Sequence, residues 1–565
     1  MWLVVVDTAQ IQPYVFGSNR LRENVGASYL VDAVTGAWAF EVVTKIAPTK
    51  HNIGPQDVLN DAARIEAGCE AEVLYAGGGN FVVLFDILEK VKNFQTHLSQ
   101  RVLLEAPGLQ VVIAQQELDW YNHVLREKLD EVFDLLAEQK RKRAWSAPLL
   151  GLGVTASCNS TGLSATGIVP GIGGDPGYLA SDEIRAKVAI ALPQHSSRSE
   201  ADRRLQETIF LPDIYRYPTD FEDLGATEGE YSYIALVHAD GNRVGQSMRE
   251  IGEGYTTAKQ NRECVQALRT FSHKIQQAAA TSLQAVVDQI VERIDEGKDG
   301  GKVLLHPLGR ENPKLVIQLK RAKKDGRPYL PFRPIVFGGD DVTFVCDGRL
   351  GLSLASAYLH AFEQETKNAH LGKDGGRLTA CAGIAIVKSH YPFARAYDLT
   401  VELTRSAKYY REEQGIAGSC LDWHFAASGL GGSLEEIRAR EYQVNAGSLT
   451  LRPVALAATA SQEQRTWPVV LAGIRAFQHE EWAERRNKIK ALRDALREGP
   501  EAVAHFLVAF HKGDLLPEVL SETHDWQKRG WDGGLCGYFD AIELVDWFIP
   551  LEGVAHEAPA ITSAS

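Results

Sequence analysis

Two stretches of the chain repeat one pattern of apolar and polar positions. In "VLYAGGGNFVVLF" (Val73 to Phe85) and "PIVFGGDDVTFVC" (Pro334 to Cys346), an apolar, β-branched run meets a glycine pair. Each then crosses two further positions and resumes as a second apolar run. Short apolar runs broken by glycine predict two strands joined by a tight turn. Gly77–Gly78 falls on Gly338–Gly339, and Gly79–Asn80 falls on Asp340–Asp341. The flanks match as well. A helical period in "ILEKVKNFQTHLSQRVLLEA" precedes the strand pattern "LQVVIAQQEL", as "LSLASAYLHAFEQETKNAH" precedes "RLTACAGIAIV". Upstream of each hairpin lies one more apolar strand, "WLVVVDTA" in the first copy and "YIALVHADGN" in the second.

Strand, helical segment, hairpin, helix and strand make a β-α-β-β-α-β order, which predicts a ferredoxin-like unit, the arrangement of palm domains. The expected fold class is therefore α+β, with two ferredoxin-like palm domains, a helical linker and a C-terminal helical domain. A degenerate first palm is expected over residues 1–118, a helical and loop region over 119–228, and a second palm with the carboxylate-bearing hairpin over 229–428. A helical domain over 429–552 and a disordered tail over 553–565 complete the expectation. The inter-palm region holds the amphipathic "WYNHVLREKLDEVFDLLAEQ" and a glycine-rich "GIGGDPGY" that reads as a loop, because Pro176 follows its aspartate.

Composition narrows the class. The chain has 565 residues, enough for several domains, and a formal net charge of −13. That charge argues against strong direct nucleic-acid binding, which needs clustered Lys and Arg. The basic runs "EQKRKRAW" and "LKRAKKDGRP" read as solvated faces. Seven scattered cysteines without a CxxC pair argue against a disulfide framework or structural zinc and fit a reducing cytoplasm. No run of about 18 apolar residues is present, so no membrane span is expected. "MWLVVVDTAQIQ" meets Asp7 too early for a signal peptide and reads as a first strand.

The chemistry concentrates at the second hairpin. The strand "YIALVHADGNRVGQSM" ends its apolar run at Asp240, followed by Gly241 and Asn242. In a palm this strand end lies beside the hairpin tip, which brings Asp240 to Asp340 and Asp341. Carboxylates converging in this way call for a hard divalent cation, Mg²⁺ or Mn²⁺, with oxygen ligands. Two such ions about 4 Å apart would serve transfer of a nucleotide from a triphosphate. Gly338 and Gly339, without Cβ atoms, leave room for a nucleotide against the hairpin. The Gly241 carbonyl is a candidate backbone ligand, and the amides after it, around Asn242, a candidate phosphate cradle. Lys408, on the helical pattern "LTVELTRSAKYYREEQG", is a candidate counter-ion for phosphate.

These residues resemble the large polymerase-cyclase subunit of type III CRISPR effector complexes, a family with two palms and Gly-Gly-Asp-Asp in the second. "IQPYVFGSNRLRENVGASYL", "YAGGGNFVVLF", "STGLSATG" and "ACAGIAIVKSHYPFARAYDLTVELTRSAK" carry the resemblance over most of the chain. It implies that ATP and a divalent metal are used to make cyclic oligoadenylates, second messengers of antiviral defence. It further implies Asp240, Asp340 and Asp341 as metal ligands, Gly241 as a backbone ligand, Lys408 as a triphosphate contact, and partner subunits with guide and target RNA. Asn242 departs from the family by standing where many relatives have a second aspartate. The HD nuclease common in the family is expected to be lacking, since the sequence starts at the palm and "THDW" holds only a single His-Asp dipeptide. Two other readings stand beside this one: a cyclic-dinucleotide synthase of diguanylate-cyclase type, and a palm that holds nucleotide within an RNA-guided complex without turnover.

Overall fold

The computed structural model describes residues 1–142, 153–171, 176–193, 198–225, 233–296, 303–306, 315–426, 432–458, 463–478, 482, 485–510, 515–520 and 525–551. The chain opens with β1 (Trp2–Ala9), α1 (Ile11–Phe16), α2 (Leu21–Thr35) and α3 (Ala37–Ile46). The hairpin β2 (Ala71–Gly77) and β3 (Asn80–Phe85), then α4 (Leu88–Glu105) and β4 (Gln110–Glu117), complete a first unit. Its strands lie in the order β2-β3-β1-β4, each pair antiparallel, which is the ferredoxin-like arrangement that the residue pattern predicts. β1 is apolar almost throughout because both its faces are covered: Leu3 and Val5 pack on one side, Val4 and Val6 on the other. α5 (Leu125–Lys142) covers the first of these faces with Leu125, Leu129, Val132 and Leu136, one stripe of an otherwise polar helix.

A small hairpin, β5 (Gly167–Val169) with β6 (Tyr178–Ala180), and helices α6 (Asp182–Ala191) and α7 (Glu200–Thr208) connect to the second unit. That unit begins with β7 (Tyr233–Gly241), α8 (Val244–Glu253) and α9 (Asn261–Glu292). The short strands β8 (Ile294–Glu296), β9 (Val303–Leu305) and β10 (Ile317–Gln318) form a side sheet. The hairpin β11 (Phe332–Gly338) and β12 (Asp341–Asp347), then α10 (Gly351–Asn368), β13 (Ala380–Lys388), α11 (Phe393–Glu413) and β14 (Cys420–Ala426) follow. The sheet order β11-β12-β7-β13 repeats that of the first unit, and β14 extends it parallel to β13 after the crossover through α11. The last part is mostly helical, with helices at Leu434–Glu441, Trp467–Gln478, Arg486–Glu498 and Pro500–Phe510.

The duplication reaches single residues. A pairing shift lies at Val73/Tyr75 before the first glycine turn and at Pro334/Val336 before the second, at the same distance from each. Gln10 (φ 56°) and Arg243 (φ 60°) are both left-handed, each three residues beyond an aspartate near the end of its strand, Asp7 and Asp240. One face of each sheet contributes to a common apolar cluster, Val4, Val6, Phe81 and Val83 with Ile234, Leu236, Val345 and Ala385. α9 packs Val265 and Leu268 under the first sheet and Phe271, Ile275 and Val286 under the second, so it braces both.

Residues 553–565, most of the "GIGGD" loop, the end of "EQKRKRAW" and His524 lie outside the described residues. Among the described residues no helix is long and apolar enough to cross a membrane.

Candidate metal centre

The site is built on the second hairpin turn. Gly338 (φ 146°) and Gly339 (φ 75°) are at positive φ, and Asp340 is not, the pattern of a type II′ turn with glycine at its first central position. In the first hairpin both Gly78 (φ 59°) and Gly79 (φ 77°) are positive, the pattern of type I′. Gly339 answers to a second constraint: a Cβ there would lie 3.2 Å from Cα of Gly78, because the two hairpin tips touch. The glycines expected to make room for a nucleotide are thus required first by the turn and by this contact. A Cβ on Gly338 would meet nothing within 4 Å, so that side of the hairpin is open.

The tip places its carboxylates by register. Asp341 pairs directly with Asp240 across β12 and β7, and the two side chains share a hydrogen bond. Asp340 folds over the end of β7: its carbonyl accepts from Gly241 N–H at 3.3 Å, and a Cβ on Gly241 would stand 2.8 Å from its own Cβ. Gly241 is therefore needed for close packing. Lys408, on α11, forms an ion pair with Asp240 and donates to the Gly241 carbonyl at 3.2 Å. The expected backbone ligand thus already has a partner. Asn242, whose backbone amide is a candidate for the phosphate cradle, has that N–H donating to the Thr379 carbonyl at 2.8 Å and its side-chain amide donating to Thr379 Oγ1 at 2.9 Å, and it is buried. The structure brings together Asp240, Gly241, Gly338, Gly339, Asp340, Asp341 and Lys408, and leaves the Asn242 side chain outside.

Charge crowding shows in the proton affinities. Burial, then the charge of Asp240, raises Asp340 above the ordinary carboxylate range. For Asp341 burial and the charges of Asp240 and Asp340 act in the same direction and push it well above that range. Asp341 is exposed to solvent at the turn, where the like charges of Asp240 and Asp340 outweigh burial. A cation would relieve this repulsion, and oxygen donors at a crowded turn are the donor set of a hard divalent ion. The residues present fit such an ion.

Three neighbours were not legible as site residues. His238, two residues before Asp240 on the same face of β7, is buried with Nδ1 3.0 Å from Thr343 Oγ1, and burial lowers it to about 4. Strand alternation from Asp240 and Asp341 is the signal that could have found both His238 and Thr343. Tyr397 on α11 stacks on Phe16 of the first unit with centroids 3.7 Å apart, and its hydroxyl is pushed up by burial and by the charges of Asp341 and Asp240. The first unit thereby buttresses the site of the second. It also keeps an echo of that site: Asp7 pairs in register with Asn80 and forms an ion pair with Lys140 of α5, as Asp240 does with Asp341 and Lys408.

Comparison with known proteins agrees with the second unit. Residues 233–417 match the family model described as Cas10/Cmr2, second palm domain. A solved Csm1–Csm4 cassette in complex with cA3 is similar at 14% identity and a TM-score of 0.50, over 97% of this chain and 69% of that one. Another, in complex with pppApA, is similar at 15% identity and a TM-score of 0.49, over 96% and 69%. At such identities the likeness is one of fold. No curated relative matches the chain. The stretch that carries the carboxylates and Lys408, residues 233–417, is thus similar to the second palm domain of Cas10/Cmr2.

Proposed function

We propose that this chain is a metal-dependent nucleotidyltransferase that converts ATP to a cyclic oligoadenylate second messenger in type III CRISPR defence. The observation that carries the reading is the meeting of Asp240, Asp340 and Asp341 at one glycine turn beside Lys408. Asp240 and Asp341, with Asp340, would hold one or two Mg²⁺ or Mn²⁺ ions, which when bound supply activation of a ribose hydroxyl and neutralise the leaving pyrophosphate. Before that, Lys408 and a shared proton neutralise the carboxylates. Once Asp240 has another counter-ion, the Lys408 ammonium is released to a phosphate oxygen. The open side of Gly338 is where sugar and base would approach. Likeness to a cassette solved with cA3 supports adenylate as the product class.

The proposed partners are further type III effector subunits with guide and target RNA, to which the acidic charge of this chain leaves most RNA contacts. A second reading, a palm that holds ATP without turnover, is favoured by Lys408, which occupies both Asp240 and the Gly241 carbonyl. One experiment separates them. The chain, with activating RNA and partner subunits, is incubated with labelled ATP and Mg²⁺ or Mn²⁺ beside an Asp340→Ala/Asp341→Ala variant. Adenylate products from the unmodified chain alone support turnover; ATP binding without product leaves the scaffold.

A further inference from the structure

The acidic pair at the turn has a neighbour of different chemistry. One ligand atom from each of His238, Asp240 and Asp341 lies within 4.8 Å of the others. Two ligands on opposite sides of an ion bound at about 2.1 Å are about 4.2 Å apart. Only one pair among three ligands can lie opposite, and neighbouring ligands stand about 3.0 Å apart, so the three must draw in by up to about 2 Å, which a cation between mutually repelling carboxylates would itself bring about.

His238 is built into this position. It is 9% exposed, its ring lies edge-on to Tyr397 with centroids 5.7 Å apart, and its carbonyl accepts from Thr404 Oγ1 at 3.1 Å. Register puts Thr343 directly opposite it, and Thr343 Oγ1 meets Nδ1 at 3.0 Å. A metal-bound imidazole characteristically donates its other N–H to an oxygen, which fixes the tautomer. In the tautomer that donates Nδ1–H to Thr343 Oγ1, Nε2 keeps a lone pair that a cation can take.

We propose that His238 is a nitrogen ligand of the cation held by Asp240 and Asp341, and that it biases the site toward a first-row transition ion such as Mn²⁺ over Mg²⁺. This rests on the metal-site reading above and goes beyond it, since oxygen donors alone suit Mg²⁺, whereas imidazole favours transition ions. Thr343 is the positioning residue that orients the ring.

The test uses the full chain with Mn²⁺, alone and with inorganic tripolyphosphate, neither of which brings a nitrogen atom. Pulsed electron paramagnetic resonance of the bound Mn²⁺ should show nitrogen hyperfine coupling that changes when isotope-labelled histidine is incorporated. His238→Gln should abolish that coupling and weaken Mn²⁺ binding by about 10-fold or more, the scale on which supporting groups of metal sites act, with a smaller loss for Mg²⁺. Mn²⁺ bound in a manner lost on Asp240→Ala, but without nitrogen coupling, overturns the role of His238 and leaves the oxygen site standing. Failure of Mn²⁺ to bind under either condition overturns both. The spectrum of the unmodified chain decides the matter even if His238→Gln does not fold.

Discussion

Asp240 and Asp341 stand directly opposite each other in the antiparallel pairing of β7 and β12 and share a hydrogen bond. Like charges facing each other across strands are destabilising, so the pair persists only with a proton, Lys408 or a cation between them. The second palm is thus arranged to work with a counter-ion.

The first prediction concerns pH. Folded, Asp341 keeps its proton to higher pH than in the unfolded chain. Across that window the folded state binds more protons, so stability falls as pH rises through it. Without metal, Asp341→Asn should therefore raise the melting temperature at neutral pH and have less effect near about pH 4. The gain in melting temperature on adding Mn²⁺ should grow with pH for the unmodified chain and shrink for the variant.

Lys408→Ala should matter most when no metal is present. Its ion pair with Asp240 is partly exposed on both sides, 29% and 32%, which limits its contribution to about 1 kcal/mol or less. We expect a lower melting temperature in chelator, much of which Mn²⁺ restores, together with weaker binding of ATP than of adenosine in equilibrium titrations.

Gly339→Ala should be costly beyond the loss of an ordinary surface glycine. At φ 75° an alanine is strained by about 1–2 kcal/mol, and its Cβ would press on Gly78 of the first unit. Denaturant unfolding should show the loss. Gly338→Ala, strained in φ but with open space for its Cβ, should retain the contact between the hairpin tips.

Asn80→Asp would create a carboxylate pair in the first unit, opposite Asp7. Burial already raises Asp7, partly offset by Lys140. A second carboxylate should lower the melting temperature in chelator by an amount that grows with pH, and added Mn²⁺ should recover it.

Much of this molecule is written locally. The glycine pairs, the apolar runs around them and the helical periods that follow each specify an element from near neighbours, and their repetition specifies two units of one topology. Asp340 and Asp341 were legible because adjacent carboxylates at a glycine turn conflict with a simple hairpin. What lay beyond reach was contact between distant segments. The tip of one hairpin resting on the other fixes Gly339, and a helix arriving from far along the chain sets Lys408 on Asp240. Asn242 reads as part of a phosphate cradle, and only the fold shows its backbone amide and its side chain both donating to Thr379. His238 is hidden because a single histidine in an apolar strand carries no local signal. Register alone, decided when β7 and β12 pair, sets it beside Thr343 and the two aspartates. Sequence determined which strands and turns form, since these depend on neighbouring residues. Tertiary structure decided which side chains share a site, since that depends on how those elements pack.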